Sequence, residues 1–446
     1  MADSKPRKIG VGLLGFGTIG TGVVKVLQEN ADVISQRLGF PLELVRIADL
    51  DLETDRGVNL DGVRFDADAS ALIADPEVDI VVELIGGYDV ARRFILESIA
   101  ADKHVVSANK ALLALHGKEI FKAARAANLD VGFEAAVAGG IPILRSLREG
   151  LAANHIERVL GILNGTTNYV LTEMERTEEA FEIVLKRAQE LGYAEADPTF
   201  DVEGVDAAHK LALLVGMAFG AELTYEDIPT QGILQMTPLD FELAAEFGFR
   251  IKLLGIAKCH SDEHGHEAIE AHVGPAMVPV RSLLANVDGA MNAVEVKGDA
   301  VGPTLYYGAG AGEMPTASAV VADLMEIARE IQRGGAGAVA PLSYLPEEIK
   351  PKPMVSADRI VHRAYLRFSA LDEPGVLSKI TGVLGEFGVG IESVIQRQTE
   401  MDHGRVPVIV LTHPATEEAL RSAMKKIDSL ECVGGPSVEI RIEEEI

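Results

Sequence analysis

Residues 9–20 read Ile-Gly-Val-Gly-Leu-Leu-Gly-Phe-Gly-Thr-Ile-Gly, and this stretch decides the fold. The apolar run Ile9–Leu14 predicts a buried strand, and helix-forming sequence follows the glycine-rich turn. Glycines at this spacing allow a tight turn and let the backbone approach a pyrophosphate at a helix N-terminus. The stretch therefore predicts the first βα unit of a dinucleotide-binding domain, with a purely structural glycine turn as the alternative.

The same alternation continues to residue 134, where short β-rich runs are separated by helix-length amphipathic segments. Such alternation is typical of parallel βαβ units, so we expect an α/β, Rossmann-type doubly wound sheet. Ala111–Ala127 is expected to be one of its helices. The further strands are predicted at Glu43–Ala48, Ile80–Glu83, His104–Ser107 and Val131–Glu134.

The pattern of predicted helices and strands changes twice in the rest of the chain. Residues 140–307 begin with helices and end in a predicted mixed sheet, which indicates an inserted α+β domain between 1–139 and a completing segment at about 308–340. Prolines crowd residues 341–358, which we interpret as a linker. Residues 359–446 follow a β-α-β-β-α-β order that is typical of a ferredoxin-like module.

Composition excludes several classes of protein. The chain has 446 residues and a formal net charge of −27, which repels phosphate backbones and argues against a nucleic-acid partner. Cys259 and Cys432 form no CxxC pair, so a reducing cytoplasm fits best. The longest apolar run, Leu211–Ala221, is too short to cross a bilayer, and we expect no membrane association.

Ionisable residues follow several of the predicted strands. Lys110 follows the strand that ends at Ser107, at the sheet edge where ligands of α/β folds bind. It is a candidate for holding a carboxylate or moving a proton, although a solvated loop lysine is equally compatible. Asp49 ends the second strand and can accept from an adenosine ribose hydroxyl, which favours NAD, whereas Arg46 and Arg56 remain candidates for an NADP 2′-phosphate.

A lysine and an aspartate one helical turn apart form the second candidate centre. Asp206 and Lys210 share one helix face, and an 11-residue apolar run follows Lys210 directly. A pair that borders a core is desolvated, so Lys210 is a candidate proton donor, with a surface salt bridge as the alternative. The loop before this helix, Gly192–Asp201, carries three carboxylates. We expect His209 to pack rather than to bind a ligand.

Two small-residue segments complete the candidate sites. Glu134–Pro142 leaves a strand with one carboxylate and exposed backbone carbonyls, which suits a hard cation or a tightly packed crossover. Gly308–Gly312 precedes a helix and is compatible with closure over a cofactor or with a hinge.

Together these motifs closely resemble the homoserine dehydrogenase family of the single-function type with a C-terminal ACT domain. The resemblance covers nearly the whole chain. It is carried by Gly15–Gly20, Ser107–Lys110, Glu134–Pro142, Asn164–Asn168, Gly192–Asp201, Asp206–Lys210 and Gly312 with Pro315–Ala319.

The resemblance implies a reaction and roles for these residues. Members interconvert L-homoserine and L-aspartate-4-semialdehyde with NAD or NADP, on the route to threonine and methionine. Lys210 would donate the proton, Asp206 would orient Lys210, and Lys110 would be the catalytic lysine between coenzyme and substrate. Glu195, Asp201 and Lys110 would bind substrate, with Glu195 taking its ammonium group. A structural, sodium-like cation would be held by Glu134, Val137, Gly139 and Ile141. The expected coenzyme contacts are Gly15, Phe16, Gly17, Thr18, Ile19, Gly20, Asp49, Ser107, Lys110 and Gly312.

The resemblance also implies partners for the chain. The ACT module, with Asp372–Leu377 after its first strand, would bind an amino-acid effector, by family likeness threonine. The inserted domain would bind substrate and form a homodimer or homotetramer. Two alternatives stay open: an amino-acid sensor whose dehydrogenase half has decayed, and another amino-acid dehydrogenase such as an aspartate dehydrogenase.

Overall fold

A computed structural model describes residues 7–262, 264–335, 337, 339–345, 347–397 and 404–444. The chain forms two compact units, and each is described here by itself. The first unit contains Met1–Gly165, Val205–Ile228 and Ala290–Lys352, and the second contains Thr166–Gly204, Pro229–Gly289 and Pro353–Ile446. No helix among the described residues is long and apolar enough to cross a bilayer.

The secondary structure is numbered in chain order. The strands are β1 (Ile9–Leu14), β2 (Leu42–Ala48), β3 (Arg64–Asp66), β4 (Ile80–Glu83), β5 (His104–Ser107), β6 (Val131–Gly132), β7 (Ile156–Ile162), β8 (Ala221–Glu222), β9 (Phe249–Ser261), β10 (Glu267–Pro279), β11 (Met291–Gly298), β12 (Gly302–Ala309), β13 (Lys350–Pro351), β14 (Val361–Leu371), β15 (Ile391–Gln396), β16 (Arg405–Thr412), β17 (Ala415–Thr416) and β18 (Val438–Ile442). The α-helices are α1 (Thr18–Glu29), α2 (Ala31–Leu38), α3 (Ala69–Ile73), α4 (Asp89–Ala100), α5 (Lys110–Ala126), α6 (Ile143–Arg145), α7 (Gly165–Thr177), α8 (Phe181–Glu190), α9 (Thr199–Val202), α10 (Val205–Phe219), α11 (Pro238–Glu246), α12 (Glu313–Arg333), α13 (Val376–Glu386) and α14 (Glu417–Asp428).

The first unit is built on a parallel sheet in the order β3-β2-β1-β4-β5-β6. This confirms the predicted doubly wound α/β fold, in which helices cover both faces of buried apolar strands. Strands β1, β4 and β5 begin and end at the predicted residues. The sixth strand is shorter than predicted because Glu134 already belongs to a 3₁₀ turn, Glu134–Ala136. Strand β3 was not predicted, since its three residues carry little apolar pattern.

Helix α12 lies far along the chain but packs in the same core as β1. Its buried Ala317, Val320 and Leu324 share a hydrophobic cluster with Val11 and Leu13. The first unit also holds three antiparallel strands, in which β11 pairs with both β12 and β7. The short strand β13, within the predicted linker, pairs with β8.

The second unit contains a long antiparallel hairpin, β9 and β10, beside a six-element module. The module runs β14-α13-β15-β16-α14-β18, which is the predicted ferredoxin-like order. Strand β18 pairs antiparallel with β14 and parallel with β10, so one sheet continues from the hairpin into the module. The second strand of this order is observed as β15, Ile391–Gln396.

Candidate active site

The glycine-rich turn after β1 has the geometry that a pyrophosphate requires. Gly15 has φ +94°, and a Cβ there would lie 2.7 Å from the backbone of Leu84. A Cβ on Gly20 would lie 2.4 Å from the Gly15 carbonyl oxygen, so α1 approaches the turn closely. Gly17 and Thr18 are exposed at the start of α1, and no heavy atom lies within 4 Å of a Cβ built on Gly17. The turn therefore leaves open space at a helix N-terminus, which attracts anions.

Asp49 lies beside this turn at the end of β2. Its Oδ2 accepts the Phe16 N–H and its Oδ1 accepts the Asp51 N–H, which leaves further lone pairs for a ribose hydroxyl. Both arginines proposed for a 2′-phosphate already have partners. Arg56 donates to the carbonyls of Phe16, Thr54 and Asp51, and Arg46 pairs with Asp66 at 2.6 Å.

A buried carboxylate organises the carboxyl ends of β4 and β5. Glu83 is fully buried, accepts the Ser107 hydroxyl at 2.7 Å, and accepts the N–H of Ile85 at 2.8 Å. The Ser107 Oγ in turn accepts the Asn109 N–H, and Asn109 caps α5 by accepting the Leu112 N–H. These bonds fix the turn from which Lys110 projects as the first residue of α5. Sequence reasoning missed Glu83, although a charged residue at the end of an apolar strand was the available signal.

Lys110 and Lys210 converge on the carboxylate of Asp206. The Lys110 Nζ lies 2.6 Å from Oδ1 of Asp206, and the Lys210 Nζ lies 2.7 Å from Oδ2. Lys210 also donates to the Leu163 carbonyl at 2.7 Å, and the Asn164 amide donates to Asp206 at 2.8 Å. The Asp206 side chain is only 2% exposed, whereas that of Lys110 is 36% exposed. The structure thus joins Lys110 to the Asp206–Lys210 pair, which was predicted from a separate motif.

The charges of this cluster determine its protonation. Burial alone would raise the pKa of Asp206, but the ammonium groups of Lys210 and Lys110 outweigh burial and hold this pKa well below its usual range. Asp206 therefore stays ionised at neutral pH and keeps both lysines oriented. Neighbouring His209 stacks on Tyr225 with ring centroids 4.0 Å apart, and burial lowers the pKa of His209. His209 is thus buried and packed.

A second group of buried charges surrounds the predicted cation loop. Glu134 accepts the N–H groups of Leu144 and Arg145, while burial raises its pKa. Asp323 accepts the Glu134 N–H, and burial together with the Glu134 charge raises the pKa of Asp323 to about 7. The Ile141 carbonyl already accepts the Ile143 N–H and keeps a second lone pair. Buried carboxylates beside backbone carbonyls are the donor set that a hard monovalent cation prefers.

The remaining predicted residues lie on two separate segments. Gly312 is the N-cap residue of α12 and has φ +115°, in the first unit. Glu195 and Asp201 belong to the second unit, where Glu195 is exposed on the loop before α9 and Asp201 lies within α9. Their substrate-binding roles stay predictions.

Comparisons with known proteins find family members that are similar along nearly the whole chain. The family profile "Homoserine dehydrogenase, NAD binding domain" matches residues 15–134, "Homoserine dehydrogenase" matches 142–325, and "ACT domain" matches 364–431. A homoserine dehydrogenase of Pseudomonas aeruginosa is 45% identical over 99% of this chain and 99% of its own length. The chain belongs to the homoserine dehydrogenase family. It is an NAD(P)-dependent oxidoreductase with a C-terminal ACT domain.

Further relatives extend the match. A homoserine dehydrogenase of Neisseria gonorrhoeae is 45% identical over 98% of this chain and 99% of its own length. The crystal structure of a homoserine dehydrogenase from Thiobacillus denitrificans has a TM-score of 0.91 and 48% identity, and covers 98% of this chain and 99% of its own. That of Staphylococcus aureus at pH 8.5 has a TM-score of 0.73 and 28% identity, with the same coverage. The chain therefore acts as a homoserine dehydrogenase in amino-acid biosynthesis.

Proposed function

We propose that Lys210 is the proton donor when the aldehyde of L-aspartate-4-semialdehyde is reduced to L-homoserine. The observation that carries this proposal is that the two oxygens of the buried Asp206 carboxylate pair with two different lysines. The Lys210 ammonium donates to the Asp206 carboxylate and to the Leu163 carbonyl, each at 2.7 Å, so the charged group is held in one buried position. An ammonium in this position offsets charge that develops on the aldehyde oxygen and then supplies the proton.

The coenzyme-binding residues complete this mechanism. The bound nicotinamide supplies the hydride for aldehyde reduction and accepts it in the reverse direction. Gly15–Gly20 and Gly312 would hold the dinucleotide, Asp49 would accept from the ribose, and Ser107 would support the turn beside it. Lys110, which is more exposed than Lys210, would contact both the coenzyme and the substrate carboxylate.

The substrate is a zwitterion, so we assign it charged partners on the chain. As the family resemblance implies, Glu195 would receive the ammonium group, and Asp201 would also bind substrate. A lysine is the expected partner of the substrate carboxylate, and Lys110 would supply it. Charge-assisted hydrogen bonds of this kind are roughly twice as strong as neutral ones. Asp206, which already pairs with two lysines and is buried, would remain a positioning residue.

Replacing Lys210 tests the proton-donor assignment. Lys210→Met removes the acid and retains the stem, so we expect homoserine-dependent NAD(P) reduction to fall about 10²–10⁴-fold, the usual contribution of a positioned acid or base. Lys118→Met is the matched control, since Lys118, on α5, forms an exposed ion pair with Glu222 of β8. Turnover of the Lys210 variant near the wild-type rate, in folded protein, would contradict the assignment.

We further propose that a structural monovalent cation, sodium or similar, binds between Glu134 and the carbonyl oxygens of Val137, Gly139 and Ile141. Ala138 and Gly139 have φ of +55° and +48°, so this loop adopts a backbone conformation that few residues tolerate. A bound cation would stabilise the ionised forms of the buried Glu134 and Asp323 carboxyl groups, which burial disfavours. The support for this site is therefore the type of ligand present, a carboxylate and backbone carbonyl oxygens.

The cation site predicts a salt-specific effect on stability. Sodium chloride should raise the melting temperature above that in choline chloride of equal ionic strength, because an ion that binds only the folded state adds about 2.7 kcal/mol at 100 times its Kd. Glu134→Gln should remove this difference, and Glu149→Gln should preserve it. Equal melting temperatures of the wild-type protein in the two salts would refute the site.

We propose that the ACT domain regulates the enzyme by binding an amino acid, threonine by family likeness, at the loop between β14 and α13. Gly375 has φ +90° at the N-cap of α13, and Asp372 accepts the Gln396 amide at 3.0 Å. The loop thus presents a carboxylate beside a helix N-terminus, which complements an ammonium group and a carboxylate.

Replacing Asp372 tests this effector loop. Threonine should inhibit the wild-type enzyme, and Asp372→Ala should raise the threonine concentration for half inhibition at least tenfold while uninhibited turnover is unchanged. Glu386→Ala, at the far end of α13, is the control and should respond as the wild type does. Identical threonine responses of the wild type and Asp372→Ala would contradict the loop assignment.

We also propose that the enzyme assembles as a homodimer or a homotetramer. Light scattering distinguishes the two by their mass.

A further inference from the structure

The Asn292 side chain, at the start of β11, is a buried polar group outside the mechanism. It is 1% exposed, and within the described part of the chain neither Oδ1 nor Nδ2 has a hydrogen-bond partner. A primary amide offers two donors and one acceptor, and buried amides almost always satisfy them. An orphaned amide at this depth therefore calls for a ligand that supplies both an acceptor and a donor.

Glycines form a cradle around this amide. A Cβ on Gly310 would lie 2.1 to 2.4 Å from Cγ, Oδ1 and Nδ2 of Asn292. A Cβ on Gly165 would lie 3.4 Å from Oδ1. Neither glycine is among those with positive φ, so each is needed for the close approach of the Asn292 amide rather than for an unusual backbone conformation. The sequence thus keeps two neighbouring positions free of side chains where the amide lies.

The chain connects this cradle to both halves of the reaction centre. Gly165 directly follows Asn164, whose amide donates to Asp206. Gly310 lies in the loop that leads to α12, and the first turn of α12 packs on α1. There Glu313 pairs with Lys25 at 2.7 Å and lies 2.8 Å from a Cβ built on Gly22. The two glycines that lie against the amide thus belong to segments that also carry Asn164 and the start of α12.

The choice of ligand follows from charge. The ammonium and carboxylate of the substrate call for ionised partners, because a neutral amide compensates a desolvated charge poorly. The carboxamide of nicotinamide is neutral and presents one acceptor and one donor side by side, the complement of Asn292. We propose that Asn292 binds this carboxamide through a reciprocal pair of hydrogen bonds and thereby fixes the rotation of the nicotinamide ring. This inference rests on the NAD(P) dependence of the enzyme.

Calorimetry of coenzyme binding tests this inference without turnover. Asn292→Leu keeps the approximate shape and removes both polar atoms, so its affinity for NADH and NADPH should fall about tenfold. Its affinity for ADP-ribose, which lacks the nicotinamide, should equal that of the wild type. Asn154→Leu, which alters an amide that already donates to the Leu151 carbonyl, is the matched control and should keep the wild-type affinities.

A coenzyme analogue provides a measurement on the wild-type protein. In 3-acetylpyridine adenine dinucleotide a methyl group replaces the amide NH2, so the wild type should bind it several-fold more weakly than NAD, whereas Asn292→Leu should bind the two alike. Three results would overturn the proposal: unchanged NADH and NADPH affinity in the variant, an equal loss of ADP-ribose binding, or a change confined to the KM for homoserine. Turnover of the wild type with homoserine tests the dehydrogenase function separately.

Discussion

The active centre depends on one ionised carboxylate, Asp206, buried between two ammonium groups. A buried carboxylate without partners is costly, whereas two close cations and an amide donor stabilise its charge. Each oxygen serves a different lysine, with Lys110 at 2.6 Å and Lys210 at 2.7 Å. Lys210 lies on a helix whose following residues are buried in the apolar core. Its side chain is therefore held away from solvent. The arrangement fixes the position of both ammonium groups.

The scaffold supplies the other half of this geometry. The carboxyl ends of β4 and β5 meet at one sheet edge, and the buried Glu83 fixes the backbone there through Ser107 and Ile85. Helix α5 starts at Lys110 and contacts α10, which carries Asp206 and Lys210. Glycines at the turn after β1 leave space for the dinucleotide. Rigid elements thus position groups that lie far apart in sequence.

Local patterns predicted much of the fold, and contacts between distant segments account for the rest. Apolar runs set the ends of β1, β4 and β5, and helical spacing revealed Asp206 with Lys210. The ion pair of Lys110 with Asp206 and the Asn292 cradle join residues too far apart for any local pattern. The ACT module was predicted as a tail, yet β18 pairs with β10, and Asp240 accepts from both Tyr365 and Arg367 in one compact unit. Proline-rich sequence before the module gave no sign of these contacts.

The central claim is that the Lys210 ammonium, held by Asp206, delivers the proton, and chemical rescue tests it most directly. Primary amines of graded acidity would be added to Lys210→Ala and to Lys110→Ala, and aldehyde reduction would be followed through nicotinamide absorbance. The account predicts that amines restore turnover to Lys210→Ala, with a rate that depends on the acidity of the amine, as proton donation requires. Rescue with that dependence in Lys110→Ala alone, and none in Lys210→Ala, would contradict it.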